Sequence, residues 1–271
     1  MAQIVAVVAA KGGTGKTVVA GNLAAACATD SGLRVLAVDC DPQADLTLDL
    51  GVEVPEGGPT LADVLEARET EEEAPLDAIY ETSIDRLRLI PGGASLDLLT
   101  AALHAAGAHG EDLLSEALTG PLVEDVDIIV LDTPPNLGPL TVGAMIAADL
   151  VLMPCNAQDL RAVAALPTAI DLLERLVEDD RSHARAAGVL VRVDSRRIRG
   201  RRMSRWITDA LTGDEPQIDI NVLGQISEHV SIHHAPMEGR PTIASKRDSR
   251  VGVEFAKLGK AVLEQMQGAV A

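Results

Sequence analysis

A chain of 271 residues, 47% of them hydrophobic, can bury a sizeable core as one large α/β domain or two small ones. Phe, Trp and Tyr occur once each, so that core must be aliphatic. The formal charge is −18, three distant cysteines (Cys27, Cys40, Cys155) argue against a disulfide framework, and no apolar run reaches membrane-spanning length.

Residues 3–9 form a nearly continuous apolar run, the pattern of a strand buried on both faces. Met1 leads directly into it, so no signal peptide is expected and the cytoplasm is the expected compartment. A glycine-rich loop follows, then an Ala- and Leu-rich helical stretch over 18–29 that Gly32 closes. Residues 34–39 read as a second strand, completing one βαβ unit. Residues 51–80 are rich in Gly, Pro and carboxylates and read as a solvated excursion with one short helix near 60–66. Further strands are expected at 87–90, 126–131, 150–153, 189–193 and 221–226. Helices are expected at 95–106, 110–118, 139–147, 161–177 and 251–266. This alternation implies a doubly wound, mostly parallel α/β sheet flanked by helices. With no repeat and no clear linker, a single domain over 1–271 is expected.

Only five lysines (Lys11, Lys16, Lys246, Lys257, Lys260) stand against eighteen arginines. An acidic, lysine-poor, Ala- and Val-rich chain fits a high-salt habitat, where carboxylates keep the surface hydrated and their repulsion is screened. An ordinary acidic cytosolic protein is the other reading.

The most informative stretch is Lys11-Gly12-Gly13-Thr14-Gly15-Lys16-Thr17. Its glycines let backbone N–H groups close on phosphate oxygens, and the helix that follows adds its positive end. In such a loop Lys16 reaches the β- and γ-phosphates of ATP, and the Thr17 hydroxyl is placed to ligate Mg²⁺. The loop follows an expected buried strand and opens a helix, the context this motif requires.

With Lys11 at its start, the loop resembles that of the ParA/MinD group of deviant Walker ATPases, whose hallmark is KGGxGKT. Two more stretches resemble the same group: Asp39-Cys40-Asp41-Pro42-Gln43, its DxDPQ motif, and residues 128–135, its Walker B strand ending in Asp132. The resemblance implies a P-loop NTPase fold and an ATP-bridged homodimer in which Lys11 contacts the partner's phosphates. Such a cation plays the part of an arginine finger. It implies that Asp39 and Asp132 hold Mg²⁺ through water and that Asp41 positions the attacking water. Val18 stands where the family has a second threonine, which costs a hydroxyl contact but keeps the backbone N–H. The segment Ala235-Pro236-Met237-Glu238-Gly239-Arg240-Pro241 resembles the family's EAPxxGxP, which places Pro236 near the adenine. With Met1 leading into the first strand, the resemblance implies the smaller ParA-like type, in which no N-terminal DNA-reading extension is expected.

Three uses of the ATPase are open. In ParA it drives non-specific DNA binding, released by a ParB-like partner on the nucleoid. Arg192, Arg196, Arg197, Arg199, Arg201, Arg202 and Arg205, opposed only by Asp194, make a local charge of +6 suited to phosphate backbones. A solvated face or a self-association surface is the plainer reading. Glu228 in Ile226-Ser227-Glu228 stands where the family often has a DNA-binding arginine. In MinD the use is membrane positioning, but the tail after the last helix carries no basic residue, so no membrane is expected. An electron-transfer ATPase would need paired cysteines, which are missing, and His229, His233 and His234 lack a partnering carboxylate pattern.

Overall fold

A computed structural model describes residues 2–70, 72–193, 220–234 and 238–267. Its frame is an eight-stranded sheet of β1 (Gln3–Val7), β2 (Val35–Asp39), β3 (Tyr80–Glu81), β4 (Leu87–Ile90), β5 (Ile128–Asp132), β6 (Leu150–Asn156), β7 (Arg185–Val193) and β8 (Ile220–Ser227). The order is β3-β4-β2-β5-β1-β6-β7-β8, and all neighbours are parallel except β3, an antiparallel edge strand on β4. The sheet is doubly wound, as the alternating pattern predicts.

The central strands are apolar at nearly every position because helices cover both faces. Alternate residues serve opposite cores. Ala6, Val8, Leu36, Val38, Ile129 and Leu131 face one, with side chains of α3 (Leu61–Glu69), α4 (Ser95–Ala106), α5 (Ala108–Ala117), α6 (Pro139–Ala147), α7 (Leu160–Ala164) and α8 (Leu166–Glu178). Val5, Val7, Val35, Ala37, Ile128 and Val130 face the other, with α1 (Lys16–Ser31), α2 (Asp45–Asp49), α9 (Thr242–Ser245) and α10 (Arg250–Gln267). Small residues let α1 and α10 approach closely, since a Cβ on Gly259 would lie 2.9 Å from that of Ala26. Phe255, the one phenylalanine, is fully buried in this layer and contributes about 3 kcal/mol by area.

Residues 51–80 are less solvated than their composition suggests. Helix α3 sends Leu61, Ala62, Val64 and Leu65 into the core, and Asp63 starts it by accepting the Thr60 N–H at 2.7 Å. The expected helix over 161–177 is two helices, because Pro167 opens a new first turn in α8. Helix α2 and strand β3 add to the expected elements. Helix α2 is only five residues long and starts after Ala44 in a left-handed conformation, which leaves no periodic signal to read.

Candidate nucleotide site

The carboxyl ends of β1, β2 and β5 meet in one crevice, the place where open α/β sheets bind ligands. Register sets Asp39 directly beside Asp132 on adjacent strands. Strand β1 runs into the glycine loop, and α1 opens at Lys16. Gly13 and Gly15 have φ of +75° and +90°, values that side chains avoid, and a Cβ on Gly13 would meet nothing within 4 Å. At Gly13 the loop therefore borders open space, whereas a Cβ on Gly15 would lie 3.6 Å from Val191 Cγ2. Asn156, ending β6, steadies it from the side by donating Nδ2–H to the Gly13 carbonyl at 3.1 Å.

Lys16 is buried, only 7% exposed, and confronts Asp132 and Asp41. Burial lowers its proton affinity, and the two carboxylates work against that shift. Asp132 is fully buried, and neither of its oxygens has a hydrogen-bond partner. Burial first, then the neighbouring Asp39, holds its carboxyl well above the usual range. The Thr17 hydroxyl lies near enough to oppose that rise without reaching hydrogen-bonding geometry. A fully buried carboxyl without a hydrogen-bond partner, beside a hydroxyl, fits a divalent cation.

Asp39 is tied differently. Its Oδ1 accepts the Asp41 N–H at 3.2 Å, and its Oδ2 accepts the Thr47 N–H at 2.9 Å and the Thr47 hydroxyl at 2.7 Å. Burial pushes Asp39 up to about 6 against these lowering bonds. Asp41 Oδ1 accepts the Gln43 N–H at 3.0 Å. Gly92 closes the crevice, its N–H donating to Thr47 Oγ1 at 3.2 Å. A Cβ there would stand 2.6 Å from the Asp41 carbonyl, so only glycine fits.

Lys11 lies apart from these groups. Its ammonium donates to Asp159 Oδ2 at 2.8 Å, with both side chains 36% exposed. Gly13, Gly15, Thr17 and Val18 line one side of a cavity of about 360 Å³ whose other walls include Asp49 and Val191. Burial, then Asp45 and Asp39, push the Asp49 carboxyl up to about 7. At the rim, Arg192 sits in a left-handed bulge of β7 at φ +57°. Glu228 accepts from Arg192 at 3.0 Å and from Gln158 Nε2 at 2.6 Å. Glu228 thus clamps Arg192 at the rim of the cavity.

The crevice gathers Gly12, Gly13, Thr14, Gly15, Lys16, Thr17, Asp39, Asp41 and Asp132. Thr47, Gly92 and Asn156 complete it without any motif to announce them, while Asp159 stands outside it with Lys11. Arg196, Arg197, Arg199, Arg201, Arg202, Arg205 and Pro236 lie outside the described residues. No cluster of potential metal-binding His, Cys, Asp and Glu occurs among the described residues. All three cysteines are buried, and burial pushes Cys27 and Cys155 up to about 12.

A glycine loop opening a helix at a buried lysine, opposite a carboxylate at a strand end, defines a P-loop nucleotide-binding protein. A family model described as an AAA domain matches residues 2–183. The chromosome-partitioning ATPase Soj of Thermus thermophilus is 33% identical over 263 residues, spanning 96% of this chain and 94% of that protein. The sporulation initiation inhibitor protein Soj of Bacillus subtilis is 29% identical over 265 residues, spanning 97% and 98%. An ATP complex of McdA from Cyanothece superposes with a TM-score of 0.81 at 23% identity, over 96% of both chains, which is a likeness of fold. The chain belongs to this AAA-domain family and, within it, to the ParA/MinD group of P-loop ATPases.

Proposed function

We propose that this chain is a ParA-type ATPase: two subunits pair around ATP, the pair binds DNA without reading its sequence, and hydrolysis releases it. The observation that carries the ATPase is the Asp132 carboxylate, orphaned and fully buried beside Lys16 and Thr17. Thr17 and Asp132 would hold Mg²⁺, with Asp39 acting through water because Thr47 and Asp41 already engage its oxygens. When bound, the ion would supply neutralisation of phosphate charge. The backbone N–H groups of Gly12 to Val18 cradle the phosphates and Lys16 donates to their outer oxygens, and by the family resemblance Pro236 would serve the base. Asp41, its backbone held by Asp39, orients the attacking water. Lys11 of each subunit engages the nucleotide of the other and answers the charge that builds in the transition state.

Partition rather than another use is supported by the first relatives, one of them a chromosome-partitioning ATPase. Arg196, Arg197, Arg199, Arg201, Arg202 and Arg205 form the DNA surface, and a ParB-like activator stimulates hydrolysis. The working location is the cytoplasm, on the nucleoid. A MinD-like membrane role is less well supported. Phe255, Leu258, Val262 and Met266 of α10 are buried, so its apolar side is already committed to the protein.

The test is DNA retention by the purified protein with ATP, ADP or no nucleotide at several salt concentrations. A variant with Arg199, Arg201, Arg202 and Arg205 changed to Ala is run beside it. The expected result is ATP-dependent, sequence-indifferent retention that weakens with salt and is lost in the variant. Absence of retention under every nucleotide would remove the DNA function and leave the ATPase.

A further inference from the structure

Lys11 and Asp159 are 148 residues apart in sequence, yet they form the ion pair that closes the outer end of the glycine loop. Asp159 is well anchored. Its Oδ1 accepts the Arg161 N–H at 2.9 Å, capping α7, and its own N–H donates to the Asn156 carbonyl at 3.2 Å. Asn156 in turn bonds the Gly13 carbonyl at 3.1 Å and accepts the Gln158 N–H at 3.0 Å. The turn over 156–161 therefore grips the loop twice, at Gly13 through Asn156 and at Lys11 through Asp159.

A lysine held this way is turned back on its own subunit. Its reach across an interface, the role assigned to it above and on which this inference rests, requires that the pair first break. We propose that Asp159 is a positioning residue that holds Lys11 on its own subunit and sets the ATP concentration at which subunits pair. The exchange is physically reasonable. A single carboxylate on an exposed pair holds weakly, whereas the clustered charge of a partner's bound triphosphate attracts an ammonium far more strongly. The ammonium therefore leaves Asp159 only when a nucleotide-loaded partner is in place. The Lys11 hydrogen bond in turn lowers the proton affinity of Asp159, which keeps the carboxylate charged while the pair is made.

The experiment titrates a slowly hydrolysed ATP analogue and reads dimer formation by light scattering, for wild type, Asp159→Asn, Asp159→Glu and Lys11→Ala. Analogue affinity is read on dilute, unpaired protein, and melting temperatures confirm folding. Asparagine keeps the helix cap while removing the charge. Asp159→Asn should move the dimerisation midpoint to lower analogue concentration, about two- to five-fold per subunit. Affinity of the unpaired protein should not change, Asp159→Glu should return toward wild type, and Lys11→Ala should not dimerise. A wild-type midpoint, or weaker pairing, in folded Asp159→Asn overturns the role of Asp159 while the function of Lys11 stands. Dimerisation by Lys11→Ala would overturn both.

Discussion

The inner and outer ends of the glycine loop are built on opposite principles. At the inner end Lys16 is buried against Asp132 and Asp41, which stand on or just past the ends of neighbouring strands. At the outer end Lys11 is 36% exposed and holds Asp159 on a surface turn. Buried charges interact strongly and cannot trade partners cheaply, whereas exposed pairs are weak and exchange readily. Four residues of one loop thus separate a fixed centre for chemistry from a contact that can be made, broken and remade.

The comparison breaks most visibly at Asp132. Asp132→Asn should lower magnesium-dependent ATP hydrolysis about 10²- to 10³-fold, measured as phosphate release. The melting temperature of the nucleotide-free protein at pH 8 should not fall, because a buried carboxyl without hydrogen-bond partners leaves with the substitution. A variant keeping more than about a tenth of wild-type turnover would place the chemistry elsewhere.

Asp49 probes the buried side through pH. Its folded carboxyl is held at about 7 against an ordinary 3.8. Between those values the folded chain binds the extra proton, so stability falls as pH rises and the loss is complete above 7. Asp49→Asn should recover on the order of 3 kcal/mol at pH 8 and nothing near pH 4, read by urea unfolding at both pH values. Equal effects at the two would deny the titration. The smallest expected effect is at Asn156. Asn156→Ala removes one hydrogen bond to the Gly13 carbonyl and should weaken nucleotide binding about two- to ten-fold, measured with a fluorescent analogue.

Much of the inner end was legible in the sequence because it is local. Lys11 to Thr17, Asp39 to Gln43 and the strand ending in Asp132 each carry their chemistry within a few residues, and parallel pairing brings them together. Thr47 was not legible, since it serves Asp39 from a five-residue helix with no periodicity. Nor was Gly92, whose need for glycine arises from a backbone that approaches only in the folded chain. Asn156 and Asp159 act over more than 140 residues of sequence and belong to no motif. Glu228 was visible as an oddity in the sequence, and only its bonds to Arg192 and Gln158 give it a task.

The most direct test sets Lys16→Ala beside Lys11→Ala and measures two quantities for each, nucleotide affinity of the unpaired protein and ATP-dependent dimer mass. The expected result is a split. Lys16→Ala loses about 100-fold or more in affinity, whereas Lys11→Ala binds nucleotide as wild type does and fails only to pair. Equal loss of nucleotide binding in both variants, or unimpaired pairing of Lys11→Ala, would contradict the division of the loop into a buried chemical end and an exposed exchanging one.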